Sequence, residues 1–234
     1  MKIKTTSAVA ALAALLSACG GGGGDGAASP APASPAPVTA AAIFPLDTTY
    51  KQIATTGISL NGTAIDGADT WTMALSVAPA ADETFEGATA KKYLQVITIK
   101  RNGATVDSST RESFFTINPF NVKGFKNNDG TYGIQTVANS TLPNVAKVGD
   151  SGSLDTMTIY TNSSKSSVLS TQRGTWTLEA DTATTAFSCR NITFRDPSGN
   201  VEGTTSNCYK IDTNGTVKGI KYTIAVSNKI LVFR

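Results

Sequence analysis

The chain contains no histidine. That removes the usual proton shuttle near neutral pH, the Ser-His-Asp and Cys-His nucleophilic arrangements, and histidine-ligated zinc. Charge is also sparse, at 16% of residues, and nearly balanced, with 20 basic against 17 acidic side chains. Such a surface makes no electrostatic case for nucleic acid. Residues 190–234 are mildly basic, with seven Lys/Arg against three Asp/Glu. A slope of that size reads as a solvated face. Long apolar runs are missing too. The uncharged stretch Ala8 to Leu16 is far below the about 18–20 residues that span a bilayer as a helix. No long stretch repeats apolar residues at a 3.6-residue period; residues 85–93 offer at most one helical turn.

The N-terminus carries an address. Lys2 and Lys4 precede the apolar stretch, and small residues follow it, the layout of a secretory signal. Leu16-Ser17-Ala18-Cys19 resembles the bacterial lipobox, with leucine three residues before cysteine. The resemblance covers residues 1–19. It implies cleavage before Cys19 and a thioether-linked diacylglycerol with an acylated amino group on that cysteine. The partner it implies is a membrane, and the location is the cell envelope. Gly20 stands where an Asp tends to retain Gram-negative lipoproteins in the inner membrane, so an outer-membrane destination is implied if the source is Gram-negative.

Removing Lys2 and Lys4 leaves 18 basic against 17 acidic residues, a net charge of +1. Gly20 to Ala42 is nearly all Gly, Ala, Pro and Ser. Such a segment buries too little apolar surface to offset its chain entropy, so it reads as a disordered tether. With Cys19 committed to lipid, Cys189 and Cys208 remain. Two thiols 19 positions apart in an exported chain are expected to form one disulfide. Redox-active pairs carry two residues between the cysteines, and no third metal ligand set accompanies this pair.

The folded part reads as all-β. Trp71, Met73, Leu75 and Val77 alternate with Thr72, Ala74 and Ser76; Met157 with Ile159, Trp176 with Leu178, and Tyr222 with Ile224 and Val226 follow the same period of two. Turn signals punctuate the runs at Asn61-Gly62, Arg101-Asn102-Gly103, Asp129-Gly130, Asp196-Pro197-Ser198-Gly199 and Asn214-Gly215. The chain also repeats itself. Val122-Lys123-Gly124-Phe125-Lys126 recurs as Val217-Lys218-Gly219-Ile220-Lys221, and Ile97-Thr98-Ile99-Lys100 as Ile192-Thr193-Phe194-Arg195, both 95 residues on. Over residues 97–126 that offset gives eight identities in 30. Thr70-Trp71-Thr72-Met73 matches Thr175-Trp176-Thr177-Leu178 at an offset of 105. Order is kept, so two tandem related antiparallel β modules are expected, each a sandwich or partly open barrel. The organisation is then 1–18 signal peptide, 19–43 lipidated cysteine and tether, 44–146 first module, and 147–234 second module with the disulfide. At the repeat spacing, Cys189 and Cys208 correspond to Leu94 and Ser113.

Several segments invite chemistry. Gly149-Asp150-Ser151-Gly152 looks like the nucleophile segment of trypsin-like proteases. Without a histidine base that serine is unactivated, and the segment reads as a polar turn before a strand starting near Ser153. Ser163, Ser164, Ser166 and Ser167 surround Lys165, but no Ser-x-x-Lys opens a helix, so a hairpin loop is expected. Asp82, Glu83 and Glu86 are the acids a carboxylate hydrolase would draw on. Asp66-Gly67-Ala68-Asp69, Asn127-Asn128-Asp129-Gly130 and Asp212-Thr213-Asn214-Gly215 hold oxygens suited to calcium, yet each is equally an Asx turn. Trp71 and Trp176 could stack on sugars; in alternating strands they read as core. The expectation is a non-enzymatic, membrane-anchored envelope lipoprotein that binds or scaffolds an unnamed protein or glycan, with no cofactor and no metal. A histidine-free glycan or peptidoglycan hydrolase and a surface-exposed adhesin are the alternatives.

Overall fold

The computed structural model describes residues 42–137, 142–226 and 229–234. The signal segment, Cys19 and the Gly/Pro/Ala stretch lie outside the described residues. The folded part opens with β1 (Ile43–Phe44) and a helix, α1 (Leu46–Thr56). Six strands follow: β2 (Ile58–Asp66), β3 (Asp69–Phe85), β4 (Ala88–Arg101), β5 (Ala104–Thr116), β6 (Asn121–Asn127) and β7 (Tyr132–Val137). The short β8 (Ala146–Lys147) pairs with β1. Six more strands complete the chain: β9 (Ser151–Tyr160), β10 (Val168–Ala180), β11 (Thr185–Arg195), β12 (Val201–Asp212), β13 (Val217–Val226) and β14 (Lys229–Phe233).

The fold is all-β. Strands β2–β7 and β9–β14 form one antiparallel sheet of 12 strands in chain order, and β7 pairs directly with β9. The two sequence-related stretches thus contribute six strands each to a shared sheet. Its edges curl toward one another: Thr63 of β2 and Arg234 exchange backbone hydrogen bonds of 2.8 and 3.2 Å. The sheet is a nearly closed up-and-down barrel, which leaves little unpaired edge.

The seam explains one departure from the sequence reading. Asn61-Gly62 was expected as a turn, but it lies inside β2. A Cβ on Gly62 would sit 3.0 Å from the Phe233 Cβ and 3.1 Å from the Ile220 Cδ1. Glycine here permits close approach of two strands rather than a reversal. The other turn signals lie at hairpins, with Asn102, Gly103, Gly130, Gly199 and Gly215 all at positive φ. Residues 85–93 hold no helical turn; Glu86 (φ 49°) and Gly87 (φ 79°) form a tight β3–β4 hairpin.

The alternation places one face of each strand inside. Trp71, Met73, Leu75 and Val77 are buried, as are Met157, Ile159, Trp176, Leu178 and Tyr222. The opposite face of β3 and β10 carries Thr72, Ser76, Thr175 and Thr177. A polar outside over an apolar inside inverts the alternation of a transmembrane barrel. No helix among the described residues is long and apolar enough to cross a membrane.

Helix α1 closes one end. Leu46, Ile53 and Ala54 are buried in the main apolar cluster, which also holds Phe44, Phe115 and Tyr209, and Thr49 is buried beside them. The Thr49 hydroxyl donates to the Gly215 carbonyl in the β12–β13 turn at 3.0 Å, and Lys51 donates to Asn118 in the β5–β6 turn at 3.1 Å. An 11-residue helix is marginal alone; packing across the barrel mouth holds it.

A smaller apolar cluster lies on the outer face. The far end of the long β3–β4 hairpin, here the arm, bends back over β5–β7 and stacks Phe85 on Phe114 with ring centroids 4.3 Å apart. Ala90 and Tyr132 complete this cluster.

Candidate functional site

Between α1 and the sheet lies a cavity of about 110 Å³ inside the barrel. Its walls come from β3–β6, β9, β11–β13 and α1, so it belongs to the interior of the whole barrel. The inward alternation builds it. On β11, Arg190 pairs across the ladder with Trp176 on one side and Asn207 on the other, and Asn207 pairs with Tyr222. These residues share one inward row. On β5, Arg111 pairs with Gln95 and Asn127 and faces the same space. A bulge in β9, where the ladder slips between Arg173 and Thr175, brings Leu154 and Asp155 to the wall together.

The chamber is half apolar and half polar. Ile53, Val77, Phe120, Val122 and Ile192 supply apolar wall. Tyr50, Tyr93, Tyr209 and Tyr222 add rings with hydroxyls. The Tyr222 hydroxyl donates to the Tyr209 hydroxyl at 3.4 Å, and the Ser188 hydroxyl donates to that of Tyr50 at 3.3 Å. Burial raises the pKa of all three tyrosines, Tyr222 to about 12, so they are neutral donors and acceptors at physiological pH.

The charged groups are Arg111, Arg190 and Asp155. Arg111 is fixed from below: its Nε donates to Asn127 Oδ1 at 2.9 Å, and its guanidinium lies 4.1 Å above the Phe125 ring. Burial first, and then the charge of Arg190, hold its pKa down to about 10. The two cations therefore feel one another, yet Arg111 remains charged at neutral pH. Arg190 makes no ion pair among the described residues, and its Nε is buried without a hydrogen-bond partner. Burial raises the pKa of Asp155, and the Arg190 charge opposes that shift without forming a salt bridge. Two guanidiniums face one carboxylate, so the chamber is net positive.

The residues singled out from sequence lie elsewhere. Cys189 and Cys208 are directly opposed on β11 and β12 and form a disulfide, with Cα atoms 3.9 Å apart. Both sulfurs lie near the Glu179 carboxylate, but they are bonded to each other and offer no thiolate to a metal. Cys19 lies outside the described residues. In the Gly149-to-Gly152 segment Gly149 has φ 95°, Asp150 accepts from the Lys147 amide, and β9 starts at Ser151. Ser163 to Ser167 form the β9–β10 hairpin loop. The acids of the arm each meet lysine: Asp82 with Lys91, Glu83 with Lys92 and Lys126, Glu86 with Lys165. In the three oxygen-rich turns, Asp69 binds Arg101 and Asn102, Asp129 accepts from Thr131, and Asp212 caps its own turn at Asn214 and Thr216. Trp71 and Trp176 are buried core, 4% and 6% exposed.

The chamber itself was missed in the sequence. A signal was present: Arg111 stands between Ser109 and Ser113, and Arg190 between Ser188 and Ile192, each a cation on the inward face of an alternating strand. No protein-family model, curated protein or solved structure matches this chain.

Proposed function

We propose that this chain is a lipid-tethered cell-envelope protein that holds a small ligand inside its barrel without transforming it. The observation that carries the binding half is the interior chamber, walled from around the sheet, with a buried arginine nitrogen that has no hydrogen-bond partner among the described residues. Buried polar groups are almost always satisfied, and an exception at a cavity is a ligand-binding signal. The tethering half rests on Leu16-Ser17-Ala18-Cys19 and the low-complexity segment after it. Binding without chemistry is favoured because the acids of the arm are engaged by lysines and no histidine is present. The two halves of the barrel then serve as related modules that jointly enclose one site.

The test fills the chamber. Asn207 lies between Arg190 and Tyr222 in the inward row, and Asn207→Phe occupies that space. The full chain is titrated with benzoate, benzamide and benzylamine while the backbone amide shifts are followed. At least one of the three shifts the amides of Arg190, Tyr209 and Tyr222, and Asn207→Phe abolishes the response. If none shifts them at ~10 mM, a concentration that detects even millimolar affinities, the chamber is not a ligand site. For the tether, Cys19→Ala moves the chain from the detergent phase to the aqueous phase on partitioning; unchanged partitioning refutes lipidation at Cys19.

A further inference from the structure

We infer that the chamber selects a small organic anion: one carboxylate or similar oxyanion, carried on an apolar body about the size of a single ring. The inference rests on the chamber being a ligand site and adds what that site recognises.

The charge argument comes first. Arg111 and Arg190 reach the same cavity from β5 and β11, and Asp155 is the only acid on its wall among the described residues. No carboxylate lies within 4.0 Å of either guanidinium, since neither arginine forms a salt bridge among the described residues. Partly buried charges are normally paired, because removing an ion from water costs several kcal/mol unless a partner compensates. A pair of cations held together with one offset carboxylate leaves room for a second negative charge. An anionic ligand supplies it.

The hydrogen-bonding argument is separate. The Arg190 Nε is buried with no acceptor among the described residues. A guanidinium presents its donors as a planar fork that matches a carboxylate through two parallel bonds. On Arg111 the Nε already serves Asn127 and the ring of Phe125 backs the plane, so its orientation is fixed and its terminal N–H groups remain to meet a ligand. A neutral ligand would answer the hydrogen bonds but leave the charge. A cation would answer neither.

Size and wall chemistry define the rest. A dry engineered cavity of ~150 Å³ takes benzene; the chamber, at about 110 Å³, is of that order. Ile53, Val77, Phe120 and Val122 line the same cavity as the arginines, so the body of the ligand meets apolar wall. Tyr50 and Tyr209, with ring centroids 5.9 Å apart in an edge-on arrangement, present ring surfaces suited to a planar group.

The experiment compares three probes of one shape on the full chain: benzoate, benzamide and benzylamine, followed by calorimetry and by the Nε–H resonances of Arg190 and Arg111. Benzoate binds at least about tenfold more tightly than benzamide, the scale of one charge-assisted hydrogen bond, and benzylamine does not compete. Arg190→Gln weakens benzoate by about tenfold or more and leaves benzamide within a factor of about two. The variant is expected to fold, because the charge it removes makes no salt bridge among the described residues. Should it not fold, the ranking of the probes on the unmutated chain still decides. If benzamide or benzylamine binds as well as benzoate, or if Arg190→Gln leaves benzoate unchanged, the anion inference is overturned while the chamber remains a binding site. If none of the probes binds, the chamber reading falls and this inference with it.

Discussion

On the outer face of β4–β6, Lys92, Phe114 and Gly124 form one row across the strands. On the outer face of β11–β13 the corresponding row is Phe187, Lys210 and Gly219. The aromatic and the lysine have exchanged strands, while the glycine stands in the repeated Val-Lys-Gly motif in both. Lys126 sits 4.9 Å above Phe114 and pairs with Glu83; Lys221 sits 5.1 Å above Phe187 and pairs with Glu179. Each half thus clamps an outward aromatic under a lysine whose charge a glutamate balances. What differs is the staple beside the clamp. In the first half the β3–β4 arm folds back and lays Phe85 against Phe114. In the second, the next row along carries the Cys189–Cys208 disulfide. A covalent bond in one half and an apolar arm in the other occupy related places, and that contrast can be broken by mutation.

The repeated glycine gives the largest expected effect. A Cβ on Gly124 would collide with the Gly133 carbonyl and with the Phe85 ring; one on Gly219 would meet nothing nearer than the Lys210 Cβ, at 4.0 Å. Gly124→Val therefore ejects the arm and distorts the β6–β7 ladder. Overpacking of this kind costs about 3 kcal/mol or more when backbone must move, a Tm loss of roughly 6–12 °C for a domain of this size. Gly219→Val changes stability by less than about 0.5 kcal/mol, as at an ordinary surface site. Thermal unfolding of the two variants side by side tests this, and equal losses would mean that the arm does not distinguish the halves.

The disulfide comes next. It closes a loop of 19 residues, for which a contribution of ~2–4 kcal/mol is typical, or a Tm loss of roughly 4–16 °C. Cys189→Ala with Cys208→Ala should show this loss and leave the arm protected in hydrogen exchange. Both sulfurs are fully buried, so thiol labelling requires reduction of the unfolded chain. The comparison sharpens when the bond is transplanted. Leu94 and Glu112 are ladder partners in the first half, as Cys189 and Cys208 are in the second. Leu94→Cys with Glu112→Cys should close the matching bond, read by mass spectrometry without reductant.

That transplant shows how far the sequence could be read. The repeat spacing points to Ser113 as the counterpart of Cys208, but the ladder places Glu112 there. Ser113 lies on the inward face, paired with Tyr93. The difference of one residue follows from hairpin registers that paired strands settle in three dimensions and that a linear offset does not carry. The tryptophans teach the same lesson. Ile99 and Phe194 correspond at the repeat spacing; their partners are Met73 and Gln172, which sets Trp71 level with Ser170 and not with Trp176. Local signals were legible: alternation at Trp71 to Val77, positive-φ turns at Asn102-Gly103 and Gly215, and the cysteine pair. Helix α1 was not, because Leu46, Tyr50 and Ile53 are thinly spread among threonines and become a stripe only against the barrel mouth. The chamber was invisible for a related reason. Arg111 and Arg190 lie 79 residues apart, and only barrel closure brings them to one cavity.

The smallest expected effect separates the two clamps by acid. The hydrogen bonds from Lys126 first and Lys92 second lower the pKa of Glu83 to about 2. An unfolded glutamate takes its proton near ~4.3. Between those values the unfolded chain binds a proton that the folded chain refuses, so the clamp's contribution is complete above that range and is lost as pH falls through it. Glu83 is over one-third exposed at its side chain, 36%, so solvent screening keeps the contribution below ~1 kcal/mol. The arm is expected to loosen locally before the barrel unfolds. Protection at Thr84, Phe85 and Ala88, taken relative to the intrinsic exchange rate at each pH, should fall between about pH 5 and pH 2, and 1 M salt should mimic part of that effect at pH 6. Glu83→Gln should remove most of the pH dependence. Glu179→Gln breaks the matching pair in the second half, yet exchange at Cys189 and Cys208 should hardly change, because the disulfide fixes those strands. If both glutamine variants loosen their halves equally, the arm and the disulfide are not alternative staples. If neither does, the lysine–glutamate clamps are surface pairs without mechanical consequence.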